Sequence, residues 1–589
     1  MYRRNESKCL AAFLLAGCIT LTGCSGTNIG GSSEEAFDSY MDKLFTDEMT
    51  EADTVSLHYT LAYPENYGIA DYDVTLGHYS VENFEEGYDG MEETLKKLER
   101  FDEEKLTTAQ NLTRDILIDS IRTDLSVKDL TLYHEILGPT TGYQAELPVV
   151  LAEYTFRTRG DIEDYLALTE QMDELFAEIV VYEQEKSKAG LFMPDYAADA
   201  VIEQCEEFIS DPENNYMIEI FDDKIDAFEG LTDEERADYK ERNHTIITTD
   251  VVNGYETLID GLTALRGTGT NELGLCYYDD GKKYYEYLVR TATGCDDSVD
   301  ELIARTDDFI NASLDEMYTL ISEKPELWYM YADYTFPITE PDAVMEDLTV
   351  KVSKDFPAPP EVNYTIKYVH PSLQEHLSPA FYLTTPIDDL ENNVIYINEK
   401  YFDGEDSNMD VYTTLAHEGY PGHLYQNCYT GACGLPLVRN VLSYPGYSEG
   451  WATYVEQYSY GISGLDADVA KLASLNNAAS LALYAYLDMS IHYKGWDREE
   501  VASYLDDYGI SDEETADEIF ETLISDPANY LSYFIGYQEF RRLRAEAKDW
   551  LGDAFVLKDF HQFLLETGPA PFYIIEDYMQ DWANEQKNK

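Results

Sequence analysis

The sequence predicts a mainly α-helical fold, two helical lobes around a central cleft, with a small β-sheet set beside a histidine-bearing helix. Three observations predict it. Long amphipathic stretches of helical period run through most of the chain, and strand-like sequence is confined to one window between Val350 and Tyr401. A chain of 589 residues, 44% of them hydrophobic, also exceeds what one compact core usually serves.

The first element is a leader. Arg3, Arg4 and Lys8 precede an apolar run from Cys9 to Leu21, which closes on Leu21-Thr22-Gly23-Cys24. These 13 residues are too few to span a bilayer. The ending fits a bacterial lipobox, so residues 1–23 read as a lipoprotein signal peptide and Cys24 as the lipid-bearing residue. Residues 24–34, with Gly30 and Gly31, read as a flexible tether. No later segment has the length and apolarity of a membrane span. The expected location is therefore outside the cytoplasm, on a bacterial membrane, through the lipid anchor only.

Helices are expected over Thr94 to Leu125, Asp161 to Lys188 and Ala467 to Lys494. Ser298-Val299-Asp300-Glu301 and Ser511-Asp512-Glu513-Glu514 fit the capping box, in which serine and glutamate satisfy each other's free backbone donors. A soft boundary near Lys324-Pro325 divides an N-terminal helical part, 35–325, from a catalytic part, 326–589. Within the strand window, Tyr364 to Val369, Ala380 to Leu383 and Val394 to Asn398 are the expected strands, separated by proline-bearing turns. An edge strand there could hold an extended peptide by backbone hydrogen bonds, or the sheet could serve only to pack against a helix.

Composition excludes one class of partner. Forty basic against 116 acidic residues give a net charge of −76, and binding to a phosphate backbone needs a basic surface, so nucleic acid is not the partner. The acidity reads as a solubility-driven surface that also concentrates cations, metals included. Beyond the leader and Cys24, Cys205, Cys276, Cys295, Cys428 and Cys433 contain no C-x-x-C pair, which disfavours a thiolate metal site. Cys276 with Cys295, and Cys428 with Cys433, could each form a disulfide, and an odd count leaves at least one free thiol.

The most informative stretch is His417-Glu418-Gly419-Tyr420-Pro421-Gly422-His423. It resembles the zinc-hydrolase motif H-E-x-x-H with two residues added. In the ordinary motif histidines four apart share one helical face and one metal, and the glutamate is general base. At roughly 100° per residue, a spacing of six turns the second ring away from the first on an unbroken helix. Pro421 and Gly422 answer this, because proline cannot donate to the carbonyl four residues back and glycine supplies backbone freedom. The helix should loop out locally and return His423 to the metal face. Twenty-six residues on, Glu449 lies on the next expected helix, where many zinc peptidases keep a third ligand and leave the fourth position open for water.

With these residues the chain resembles the bacterial family known as domain of unknown function 885, which is similar to helical zinc peptidases. The likeness is carried by the histidine motif with Gln426, Glu449-Gly450-Trp451-Ala452, His492-Tyr493-Lys494-Gly495-Trp496, Tyr533-Phe534-Ile535-Gly536 with Arg544, and Phe560-His561. Phe156-Arg157 and Gly281-Lys282-Lys283-Tyr284-Tyr285 extend it upstream. Where relatives often have a second histidine after the motif, this chain has Leu424.

The resemblance and the bare chemistry imply one arrangement. His417, His423 and Glu449 hold Zn2+, and Glu418 takes a proton from its water. Tyr533, in a Tyr-x-x-Gly setting, is the first choice for oxyanion donor. His492, one turn after Asp488, is a second, and Arg544 a candidate for binding a substrate carboxylate. The expected activity is hydrolysis of short peptides. A metal-dependent hydrolase of a non-peptide amide or ester shares these ligands, and a non-catalytic peptide-binding lipoprotein is the third class.

Overall fold

The structure, a computed structural model, describes residues 33–374, 377–402 and 409–588; the leader, Cys24 and most of the expected tether lie outside them. Helix formation follows the caps. The first helix, Glu34–Glu51, begins where the tether was expected to end, with the Ser33 hydroxyl accepting the Ala36 N–H at 3.3 Å. The stretch from Thr94 to Leu125 divides into Val81–Leu98 and Thr108–Leu125, the second opened by a Thr107/Gln110 capping box. That from Asp161 to Lys188 divides into Arg159–Glu170 and Met172–Ala189. The Ser298/Glu301 box opens the Val299–Glu323 helix as expected. The second expected box does not form. Asp512 is the cap there, accepting the Thr515 N–H at 3.0 Å, while Ser511 turns to Asp506.

The strands are β1 (Asn363–Tyr368), β2 (Ala380–Leu383) and β3 (Asn392–Ile397), in the order β1-β3-β2, with β1 parallel and β2 antiparallel to β3. Alternation along β3 gives the sheet two different faces. Ile395 and Ile397 are fully buried with Ala380 and Tyr382 in a core built mainly from Tyr285 to Met579. Tyr396 turns the other way and stacks on Phe381, ring centroids 5.0 Å apart, against a core built mainly from Val55 to Leu262. The sheet thus joins the two main cores of a mainly helical molecule.

The division between those cores does not fall at Lys324-Pro325. Val299, Leu302 and Ile310 belong to the C-terminal core, because the apolar face of the Val299–Glu323 helix packs along the Ala467–Met489 helix. All five cysteines among the described residues are free thiols. Cys276 and Cys295 flank the 13-residue helix Gly281–Thr293, about 20 Å long, whereas a disulfide needs Cα atoms within about 7 Å. Cys428 faces Asn393 Oδ1 at 3.3 Å, and Cys433 turns back to the Tyr429 carbonyl at 3.2 Å. No helix among the described residues is long and apolar enough to cross a membrane.

Candidate metal centre

The histidine motif breaks the helix instead of bulging it. One helix, Val411–Glu418, carries His417 and Glu418 in its last turn, and a second, His423–Ala432, begins on His423. The four residues between them hold a cis Tyr420-Pro421 bond, with Gly419 at φ −109°, ψ −101° and Gly422 at φ −80°, ψ −135°. A Cβ on Gly422 would lie 1.6 Å from the His417 carbonyl oxygen, so the connection closes only with glycine there. Trp451 pins the loop from outside, its indole N–H donating to the Pro421 carbonyl at 2.8 Å. The two imidazoles are thereby brought to 4.8 Å between centroids, 80° apart in plane.

Glu449 comes from the Pro445–Tyr460 helix, two residues before the tryptophan that holds the loop. Its Oε2 lies 3.5 Å from His417 Nε2 and 3.4 Å from His423 Nε2. One donor atom from each of the three residues lies within 4.8 Å of the others, and this is the metal-suited cluster among the described residues. Two imidazole nitrogens and one carboxylate fit zinc, and three protein donors leave a position open. Burial would raise the Glu449 carboxyl, but the two histidines outweigh it and hold it well below the usual carboxylate range. Burial likewise pulls the His417 imidazole down, and Glu449, Glu456 and Glu418 outweigh it, leaving its pKa well above the ordinary value.

Glu418 is held by one oxygen. Oε2 accepts the N–H of Tyr382 on β2 at 2.9 Å, and Oε1 lies 4.0 Å from His417 Nε2, on the side of the cluster. Burial pushes this carboxyl up, with His417 and His423 opposing. A residue outside the sequence reading completes the set: Glu456 Oε2 lies 3.3 Å from His417 Nδ1, and Glu456 Oε1 accepts from Asn477 Nδ2 at 3.3 Å. A carboxylate on Nδ1 fixes the ring with Nε2 toward the cluster. The available signal was spacing, since Glu456 is two turns after Glu449 on one face of one helix.

Tyr533 is brought to the cluster. Its helix, Asn529–Leu551, packs so closely on Pro445–Tyr460 that a Cβ on Gly450 would meet the Gly536 carbonyl carbon at 2.4 Å. The Tyr533 ring then lies 6.5 Å from the His417 ring, 21° from parallel.

His492 and Arg544 are not brought there. Residues Ser490–Lys494 form a π-turn, which removes the four-residue relation that would place Asp488 on the His492 ring. His492 accepts the Leu275 N–H at 3.1 Å and donates Nε2–H to the Leu523 carbonyl at 2.8 Å; burial pulls its pKa to about 4, so it is a neutral structural histidine. Asp488 instead accepts from the Tyr285 hydroxyl and from the Ala528 N–H. Arg544 donates to the Tyr454 hydroxyl at 3.2 Å, and Tyr454 is five residues after Glu449, on the far side of that helix. Tyr454 also meets His561 Nε2 at 3.0 Å, and His561 Nδ1 donates to the Asp355 carbonyl at 2.7 Å, which gives His561 a structural role.

The family described as "Bacterial protein of unknown function (DUF885)" matches residues 64–579. The fold is similar to two solved chains, each described as a "putative lipoprotein". The one from Colwellia psychrerythraea is 18% identical, with a TM-score of 0.78 over 94% of this chain and 97% of its own. The one from Shewanella oneidensis, of unknown function, is 17% identical, with a TM-score of 0.64 over 92% and 99%. No curated protein matches.

Proposed function

From the premise that this chain belongs to the DUF885 family of bacterial proteins, we propose that it is a zinc-dependent peptidase acting on short peptides. One observation carries the reading: both histidine Nε2 atoms lie within 3.5 Å of a single Glu449 oxygen, beside a glutamate anchored through its other oxygen. His417, His423 and Glu449 would hold the metal, with Glu456 orienting His417. Bound zinc supplies a water of lowered pKa and polarises a carbonyl.

The chain's own groups do the rest. Glu418 Oε1 accepts the proton of the attacking water and delivers it to the departing amine, while the Tyr382 N–H keeps the carboxylate from swinging away. The Tyr533 hydroxyl donates to the developing oxyanion. The Tyr382 N–H leaves β2 on the side away from β3, so the outer edge of β2 faces Glu418, and by alternation Ala380 presents its backbone polar groups on that edge. A peptide extended along β2 would place its backbone beside the base.

Glu418→Gln tests the reading. The variant should keep fold and zinc and lose about 10²- to 10⁴-fold in kcat on short peptides, because an amide cannot accept the proton. Zinc-loaded wild type and variant are incubated with an oligopeptide library, and cleaved bonds are identified by mass spectrometry. Equal cleavage by both removes Glu418 as base. Turnover of other amides or esters with no peptide cleaved makes the protein a non-peptide hydrolase.

The proposed location is outside the cytoplasm on a lipid anchor at Cys24, which is supported by the Leu-Thr-Gly-Cys ending of the leader and by the lipoprotein descriptions of both solved neighbours. Cys24→Ala should shift the protein from the membrane fraction to the soluble fraction or stop its processing. Normal processing with unchanged membrane retention would refute the anchor.

A further inference from the structure

Two adjacent arginines on the Asn529–Leu551 helix are treated differently by the fold. Arg542 is saturated with acid: Nε donates to Glu539 at 2.8 Å, and Nη1 to Glu546 at 3.0 Å and Glu576 at 2.6 Å. Arg541, in a chain of 116 acidic residues, forms no ion pair among the described residues. Aromatic rings hold it instead, its guanidinium carbon 5.3 Å from the Tyr537 ring centroid and 5.4 Å from that of Phe309. One N–H also donates to the Tyr537 hydroxyl, and a guanidinium has five N–H groups, so a pair remains that can receive a carboxylate through two parallel hydrogen bonds.

Its position relates this fork to the cluster. Tyr533, Tyr537 and Arg541 are spaced four apart on one helix, and Tyr533 is the residue whose ring lies 6.5 Å from His417. Arg541 starts about 12 Å of helix rise beyond Tyr533, but helical side chains lean toward the N-terminus, and its seat on Tyr537 shows that it does so. The guanidinium is thus set back about one turn, to about 6 Å of rise beyond Tyr533. An extended peptide advances about 3.3 Å per residue, so this offset matches one or two residues. Arg544 is excluded by its contact with Tyr454 on the far side of the Glu449 helix.

Resting on the peptidase reading, we propose that Arg541 binds the C-terminal carboxylate of the substrate, which makes the protein an exopeptidase releasing the last one or two residues of short peptides. The amide bond that breaks is then the one that lies over Glu418 when the terminal carboxylate is seated on Arg541. Length and a free C-terminus, more than side-chain identity, are what this contact selects.

The test uses the zinc-loaded full chain and a set of peptides, each made both as the C-terminal acid and as the C-terminal amide. Wild type should release one or two C-terminal residues from the acids with kcat/KM on the order of 10- to 100-fold above the amides, the usual effect of a charge-assisted bidentate contact. Arg541→Gln should bring the acids down to the amide rate and leave the amide rate unchanged. Arg541→Lys, which keeps the charge but not the fork, should recover part of the difference, mainly in KM. Arg544→Gln should retain the acid preference. Circular dichroism melting confirms that the variants are folded. Equal wild-type rates on acids and amides, or an equal loss on both in Arg541→Gln, would overturn the role of Arg541 and leave the peptidase standing. No cleavage of either set by wild type would remove the peptidase reading and this inference with it.

Discussion

His417 is gripped from both ends of its ring, with Glu456 3.3 Å from Nδ1 and Glu449 3.5 Å from Nε2. Only one of these carboxylates is a proposed ligand, so the other can be removed without emptying the coordination sphere. Glu456→Gln should weaken zinc binding about 10- to 100-fold while leaving the fold intact, because an amide orients the ring less well and lowers its basicity. Competition with a chelator of known affinity measures this, and an unchanged Kd would mean that Glu456 does not support the metal. Legibility in the sequence followed distance along the chain. His417, Glu418, His423 and Glu449 could be read from residue type and spacing. The Tyr382 N–H on Glu418 could not, since it is a backbone group supplied by a strand 36 residues earlier. His492 and Arg544 carried the right chemistry, but a π-turn and a helix face sent them elsewhere.

At the scale of elements, the site depends on two places where only glycine fits. Gly422 allows the break that converts a spacing of six into two converging imidazoles. Gly450 and Gly536 let the Glu449 helix and the Tyr533 helix touch backbone to backbone. Gly536→Ala would set a methyl 2.1 Å from the Gly446 carbonyl oxygen, and neither backbone can yield without the helices separating. It should cost about 1–3 kcal/mol of stability, seen as a lower denaturation midpoint, and should reduce activity further in molecules that remain folded, because Tyr533 rides on the displaced helix. Wild-type stability would show that the packing yields at little cost. The sequence disclosed that helices were present, through period and caps, but less of where they end. The divisions at Glu99–Thr107 and at Gln171 fall inside amphipathic stretches whose period continues on either side. The strands were found within two residues because their run of β-branched and aromatic residues stands out in a helical chain.

For the molecule as a whole, the sheet is the joint. One face of β3 contributes Ile395 and Ile397 to the core that holds the candidate metal-binding residues, and the other contributes Tyr396 to the N-terminal core. Anything that moves the two cores relative to each other therefore acts on β2 and, through the Tyr382 N–H, on Glu418. The core boundary was not legible at Lys324-Pro325, because a proline after a helix marks the end of an element and not the end of a core. His417, His423 and Glu449 are proposed to hold one zinc ion jointly. Elemental analysis of the purified full chain, after equilibration with zinc and removal of excess, tests this most directly. One zinc per wild-type chain is expected, with most of it lost in both His417→Ala and His423→Ala, since three donors leave no redundancy. Full occupancy in both variants would contradict the claim, and retention in His423→Ala alone would mean that the broken helix does not bring His423 to the metal.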